Sequence, residues 1–151
     1  MGGVLLLALI ALLAWLYLLP QSGQPDSSGV SGASGGSGLS IFMSAISAFE
    51  GGGRSDRNNN PGNLAPGVGR VIFPGQTGTD SGGFAVFDSM DSGWAALQQT
   101  VQRYLRQSPD MTFNQFFNKY SPDGNGDNYA NYVAGQMGAD PNSPVGLAIG
   151  G

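Results

Sequence analysis

The stretch FEGGGRSDRNNNPGNL, residues 49–64, contains the features on which the fold prediction rests. Ahead of it, apolar residues recur at helical spacing behind Ser40, which is a suitable N-cap. The glycines at 51–53 favour termination of that helix. The sequence therefore predicts a helix over Ser40–Glu50, with an inward face formed by Ile41, Phe42, Ala45, Ile46 and Phe49.

Glu50 is the only glutamate in the chain and the last residue of this predicted helix. It follows Ile46 by one turn and is adjacent to Phe49, so its side chain should border the buried stripe. Burial and the negative end of the helix dipole both favour a protonated carboxylic acid. Such a group is suited to protonating a glycosidic oxygen; the alternative is an ordinary solvated glutamate at a frayed helix end.

The loop that follows the helix contains four asparagines between Arg57 and Leu64. Asparagine, proline and glycine all favour turns, so one interpretation is a turn-rich connection. Side-chain amides that converge beside a cleft also recognise sugar hydroxyls and N-acetyl groups. On this second interpretation, Asn60 and Asn63 bind substrate.

Downstream of this loop the sequence predicts a small β element and then helices. The two strands are expected at 70–73 and 83–87, joined by the polar stretch 75–82. The helices are expected at 89–107, 112–120 and 128–137. The first of these helices carries the apolar stripe Met90, Trp94, Leu97, Val101 and Tyr104. The predicted fold class is α+β and mostly helical.

Residues 4–19, VLLLALIALLAWLYLL, are apolar and carry no charge. As a helix they would span about 24 Å, somewhat less than a hydrocarbon core of ~30 Å. A signal peptide would have basic residues before this segment and a small-residue cleavage site after it, and neither is evident. The predicted organisation is a single transmembrane anchor at 1–20, a Gly/Ser-rich linker at 21–38, a folded domain at 39–142 and a loosely ordered tail at 143–151.

The composition excludes several classes of chemistry. The 151 residues include no His and no Cys, which removes Ser-His-Asp and Cys-His catalysis and the usual zinc ligands. The net charge of −4 and the scattered basic residues argue against nucleic acid as a partner. The segment 123–127 begins like a calcium loop, but Asn128 and Ala134 stand where such a loop needs Gly and Glu. We therefore expect no metal and no cofactor.

Three segments of the chain resemble the lysozyme-like domains of phage and bacterial murein hydrolases, which include lytic transglycosylase-like proteins. The resemblance covers about residues 41–142. It is carried by FEGGGRSDRNNNPGNL at 49–64, GGFAVFDSMDSGWAALQQTV at 82–101 and MTFNQFFNKYSPDGNGDNYANYVAGQMG at 111–138.

This resemblance implies a lysozyme-like fold that cleaves the β-1,4 bond between N-acetylmuramic acid and N-acetylglucosamine. It implies that Glu50 is the catalytic acid/base. Aromatic residues on the final helix of related domains line the glycan cleft, which suggests Tyr129 as a substrate contact. Tyr132 is expected to lie in the core.

The mechanism depends on whether a second carboxylate lies near Glu50. Retaining glycosidases need one about 5 Å away, and inverting enzymes need one roughly 6.5–9.5 Å away. Asp56 and Asp80 are the candidates, although both also suit solvated loop positions. Asp88 is better explained as the N-cap of the following helix. Lytic transglycosylases resemble the case of a single Glu, because the substrate's N-acetyl group assists and the C6 hydroxyl replaces water.

These observations predict a membrane-anchored enzyme that degrades peptidoglycan as a muramidase or a lytic transglycosylase. Its expected partners are glycan strands, the lipid membrane through residues 4–19, and virion proteins. Its expected location is a phage virion membrane or a bacterial inner membrane, with the domain facing the cell wall. Two alternatives remain: a non-catalytic virion or wall-binding protein of the same fold, and a membrane-disrupting, holin-like protein.

Overall fold

The computed structural model describes residues 36–150, which form six helices and one two-stranded sheet. This is a mixed, mostly helical α+β arrangement, as the sequence predicts. In chain order the elements are α1 (Gly36–Glu50), α2 (Gly53–Arg57), β1 (Gln76–Thr79), β2 (Ala85–Phe87), α3 (Met90–Gln107), α4 (Phe113–Tyr120), α5 (Gly126–Gln136) and α6 (Val145–Gly150).

The predicted anchor at 1–20 and most of the predicted linker at 21–38 lie outside the described residues. Between residues 36 and 150, no helix is both long and apolar enough to cross a membrane. α1 begins at Gly36, so the last three residues of the predicted linker are helical. Packing explains this correction. Gly38 lies so close to α6 that an added Cβ would be 2.8 Å from the Ala148 carbonyl oxygen and from the Cα of Ile149.

The core is organised around an aromatic cluster between α1 and α4. The Phe42 ring lies 5.9, 5.3 and 5.8 Å from three phenylalanine rings of α4, measured between ring centroids. All four rings are fully buried, and tilted and edge-on contacts of this kind add to the stabilisation from burial. The three α4 rings are Phe113, Phe116 and Phe117. The predicted inward position of Ile41 is wrong, because its side chain is 49% exposed.

The first predicted strand is also wrong. Residues 70–73 form no strand; β1 lies instead at Gln76–Thr79, within the stretch predicted to be a connection, and pairs antiparallel with β2. The buried Gln76 side chain explains the difference. Its amide oxygen accepts hydrogen bonds from the Ile72 and Phe73 backbone amides, and its amide nitrogen donates to the Arg70 carbonyl oxygen. The backbone of 70–73 therefore curls around one side chain instead of pairing with a strand.

Two helix starts and one connection differ in detail from the predictions. The N-cap of α3 is Ser89 rather than Asp88, because the Ser89 hydroxyl accepts a hydrogen bond from the Ser92 backbone amide. Met90, predicted in the buried stripe, is the first residue of that helix and is 37% exposed. α5 begins two residues before its predicted start, and α2 forms within the predicted polar loop.

The C-terminal segment is part of the fold, which corrects the prediction of a loose tail. Val145 is fully buried, and its backbone amide donates to the Met111 carbonyl oxygen at 2.9 Å. The Phe113 amide donates to the Ser143 carbonyl oxygen, and Thr112 forms a β-bridge with Pro144. Residues 143–150 therefore hold the start of α4 in place.

The asparagine-rich loop packs directly against α3 at Gly93. An added Cβ at this position would overlap the Asn59 carbonyl oxygen and lie 2.8 Å from the Cδ atom of Pro61. Only glycine allows this approach, so Gly93 fixes the distance between α3 and the loop that reaches Glu50.

We expect Gly93→Ala to lower the free energy of unfolding by about 2 kcal/mol or more, because backbone must move to admit the methyl group. The matched control is Gly135→Ala in α5, where an added Cβ meets no atom within 4 Å. Alanine at that exposed helical position should raise the free energy of unfolding by about 0.5 kcal/mol. Urea unfolding of both variants measures the two effects. Equal unfolding midpoints for wild type and Gly93→Ala would contradict this account of the loop.

Candidate active site

Glu50 is the last residue of α1 and lines a cleft of about 560 Å³. Its side chain is half-buried, and its Oε2 atom accepts a hydrogen bond of 2.9 Å from the Nδ2 atom of Asn63. The cleft is bounded by the end of α1, the loop after Asn63, one face of α3 and the end of α4. The predicted catalytic residue therefore lies in a concave site with a polar partner that fixes one carboxylate oxygen.

Asn63 reaches Glu50 because its backbone adopts the left-handed conformation, with φ of 44°. Asparagine tolerates this region better than most residues, which explains its presence at the turn. Its Nδ2 atom donates a hydrogen bond to Glu50. Its buried Oδ1 atom has no hydrogen-bond partner within the described part of the chain. Asn63 therefore carries a buried acceptor without a partner among the described residues, close to the Glu50 carboxylate.

The prediction that Asn60 binds substrate is wrong. Its side chain is fully buried, and its Nδ2 atom donates to the Leu64 and Ala85 carbonyl oxygens while its Oδ1 atom accepts from the Leu64 amide. Asn58 and Asn59 similarly donate to Asp80 and to the Phe87 carbonyl oxygen. These three asparagines attach the loop to the hairpin formed by β1 and β2. Of the four asparagines, only Asn63 forms a hydrogen bond with Glu50.

The burial of the two tyrosines of α5 is the reverse of the prediction, and neither lines the cleft. Tyr129, predicted to contact substrate, is 1% exposed and is stacked between Phe49 and Phe117, with centroid distances of 3.9 and 4.3 Å. Tyr132, predicted in the core, is 38% exposed. The Tyr129 hydroxyl donates to the Ile46 carbonyl oxygen at 3.3 Å. Burial, followed by the nearby Tyr120 and Glu50, raises its pKa, so Tyr129 supports the end of α1 as a neutral group.

Tyr120 connects α4 to the asparagine-rich loop and lines the cleft. Its hydroxyl donates a 2.5 Å hydrogen bond to the Gly62 carbonyl oxygen. Burial raises its pKa well above the ordinary value, and the neighbouring Glu50 carboxylate and Tyr104 act in the same direction. Tyr120 is therefore a neutral hydrogen-bond donor that holds the loop close to Glu50.

Neither predicted second carboxylate lines the cleft. Asp80 instead organises the turn of the hairpin, where it accepts hydrogen bonds from the Asn58 side chain and from the Gly82 and Phe84 backbone amides. These bonds, led by the one from Asn58, lower the pKa of Asp80. Asp56 is exposed on α2.

Asp123 is the second acidic residue of the cleft, and sequence reasoning did not select it as a site residue. Its carboxylate accepts hydrogen bonds from the Ser121 hydroxyl and the Asn125 backbone amide. These bonds lower the pKa of Asp123, with the Ser121 bond as the largest cause. Asp123 is therefore a charged carboxylate whose orientation is fixed by its own turn.

The wall formed by α3 and α4 was not predicted as part of the site. Thr100, Arg103 and Tyr104 line the cleft from α3, and Lys119 lines it from α4. The three α3 residues are spaced three to four positions apart or adjacent, so they lie on one face of the helix. This spacing is the sequence signal from which the α3 part of the wall could have been predicted. Thr100 is 3% exposed, and its hydroxyl has no hydrogen-bond partner among residues 36–150.

Comparison of the chain with protein-family models, curated proteins and solved structures finds no match. Within the described residues, no group of three or more acidic side chains is placed to hold a metal ion.

We expect Thr100→Val to raise the free energy of unfolding by about 1 kcal/mol, because it removes a buried hydroxyl that lacks a partner and keeps the shape of the side chain. The matched control is Thr112→Val, which removes a hydroxyl that caps α4 by accepting from the Gln115 amide. The control should lower the free energy of unfolding by about 1 kcal/mol. Urea denaturation measures both changes. A Thr100→Val variant less stable than wild type would contradict the assignment of an unpartnered hydroxyl.

Proposed function

We propose that the chain is a membrane-anchored enzyme that cleaves the bond between N-acetylmuramic acid and N-acetylglucosamine in peptidoglycan. The observation that carries the proposal is the position of Glu50 at a helix terminus in a cleft, with one carboxylate oxygen held by Asn63. A cleft of about 560 Å³ is within the usual range for ligand sites. The resemblance of residues 49–64 to murein hydrolases supports the same assignment.

Glu50 acts first as a general acid in this proposal. Asn63 binds Oε2, so the other carboxyl oxygen is the one that donates its proton to the glycosidic oxygen. The bond from C1 to that oxygen then breaks, and positive charge develops at C1. The side chains of Ile72 and Phe73 also line the cleft and offer apolar surface to the sugar faces.

The second step follows from the arrangement of the other carboxylates. Asp56 and Asp80 lie outside the cleft lining, and Asp123 is held by Ser121 and Asn125. We therefore favour a mechanism with Glu50 as the one acid/base, in which the N-acetyl group of the substrate assists. The C6 hydroxyl attacks C1 and gives its proton to the Glu50 carboxylate, which leaves a 1,6-anhydro end without consuming water.

The proposed location depends on the predicted membrane anchor and linker at residues 1–38. An anchor at residues 4–19 would hold the chain in a phage virion membrane or a bacterial inner membrane. The predicted Gly/Ser-rich linker at 21–38 would connect the anchor to the domain. Such a tether would let the domain reach glycan strands beside the membrane, with virion proteins as neighbours in the phage case.

We expect Glu50→Gln to reduce the release of muropeptides from purified sacculi by a factor of about 10² to 10⁴, because glutamine cannot transfer the proton. The full chain in mild detergent is used for the assay. Asp56→Asn is the matched control, since it removes one negative charge from an exposed site outside the cleft, and its rate should equal that of wild type.

The mass of the released products distinguishes the two outcomes of cleavage. Anhydro ends, lighter by one water, indicate a lytic transglycosylase, and intact reducing ends indicate a muramidase. A Glu50→Gln variant that digests sacculi at the wild-type rate would refute the catalytic assignment. Wild-type protein that binds sacculi but releases nothing would favour the non-catalytic, wall-binding alternative.

A further inference from the structure

The cleft contains a pair of cations that converge on one aromatic ring. The Lys119 Nζ atom lies 4.3 Å from the centroid of the Tyr104 ring, and the Arg103 guanidinium carbon lies 5.5 Å from it. The two residues come from different helices, α4 and α3, and both line the cleft. The ring therefore holds two positive side chains at one wall of the site.

No carboxylate of the described residues neutralises this pair. In the part of the chain covered by the structure, the one ion pair is between Arg54 and Asp80, at 3.7 Å. Lys119 donates a hydrogen bond to the neutral side chain of Gln107. Of the two acids in the cleft, Glu50 is bound by Asn63 and Asp123 by its own turn. Both cations are exposed residues of the cleft lining, and neither forms an ion pair with a carboxylate of the described residues.

The concentration of basic residues in the cleft contrasts with the acidic composition of the chain. The net charge is −4 and only six residues are basic, yet three of them, Arg54, Arg103 and Lys119, line the cleft. Neutral sugar hydroxyls do not require two cations side by side. A ligand with its own negative charge would offset the repulsion between them.

Thr100 provides an independent indication of a polar ligand. It precedes Arg103 by one turn on the same face of α3, and its side chain is 3% exposed. The residue lines the cleft, and its buried hydroxyl has no hydrogen-bond partner among residues 36–150. A buried hydroxyl without a partner is costly, and a ligand oxygen in the cleft would satisfy it.

We propose that Thr100, Arg103 and Lys119 form a subsite for a carboxylate carried by the ligand. In this arrangement the Thr100 hydroxyl and the Arg103 guanidinium donate hydrogen bonds to the carboxylate, and the Lys119 ammonium balances its charge. This inference rests on the proposed function. Applied to peptidoglycan, it states that the enzyme prefers strands whose sugars carry acidic peptides over strands whose carboxylates are blocked.

The test measures binding of the full chain to insoluble sacculi by co-sedimentation, with Glu50→Gln in every protein to prevent digestion. Two probes are compared: native sacculi, and sacculi whose carboxylates have been converted to amides with a carbodiimide and ammonia. We expect amidation to weaken binding about fivefold or more. Arg103→Gln and Lys119→Gln should each weaken binding to native sacculi by a similar factor and leave binding to amidated sacculi unchanged.

Arg106→Gln is the matched control, because it removes the same charge from an exposed site on α3 outside the cleft lining. Its preference for native over amidated sacculi should equal that of the parent. Thr100→Val should weaken binding to native sacculi although the protein remains folded. Equal losses for Arg103→Gln and Arg106→Gln would overturn the subsite, since they would indicate general attraction to an acidic polymer.

The carboxylate subsite and the catalytic activity are two hypotheses that can be refuted independently. If the protein with Glu50 intact releases no muropeptides while Arg103→Gln still abolishes the preference for native sacculi, the subsite holds and the activity does not. If the intact protein digests sacculi but Arg103→Gln keeps the full preference for native over amidated sacculi, the activity holds and the subsite is wrong.

Discussion

The hydrogen bond from the Asn63 amide to the Glu50 carboxylate joins two of the parts of the structure that bound the cleft. One partner is the end of α1, held by the stacking of Phe49 on the buried Tyr129. The other is a loop fixed to the hairpin by its remaining asparagines and to α3 by the contact at Gly93. A shift of either part by about 1 Å would break this bond. The hydrogen bond between Asn63 and Glu50 thus depends on the packing of both of its supports.

The sequence predicts the parts of this structure that depend on local pattern. The end of α1 at Glu50, the helices α3, α4 and α5 and the α+β class follow from apolar periodicity and glycine positions, and the structure confirms them within a few residues. The location of β1 and the order of the C-terminal segment could not be predicted in this way. One depends on the single buried side chain of Gln76, and the other on contacts of Val145 and Gly38 with distant parts of the chain.

In the candidate site, too, local sequence pattern predicts some residues, whereas others depend on contacts between distant parts of the chain. Glu50 stands out because of its position at the end of an amphipathic helix, and Asn63 belongs to a loop that is rich in amides. Composition alone does not separate Asn60, whose amide bonds backbone groups inside the protein, from Asn63, whose Oδ1 atom has no hydrogen-bond partner among residues 36–150. The roles of Tyr129 and Tyr132 depend on the rotation of α5 against α1. Arg103 and Lys119 lie close together only because the packing of α3 against α4 brings both to the Tyr104 ring.

The central claim is that the cleft beside Glu50 binds a glycan strand at the bond to be cleaved. A crystal structure of the Glu50→Gln variant with a peptide-bearing murein tetrasaccharide tests it most directly. The account predicts a glycosidic oxygen within about 3 Å of the side chain at position 50, and the sugars in contact with the cleft wall of α3 and α4. A strand bound to another face of the domain, with the side chain at position 50 directed to solvent, would contradict it.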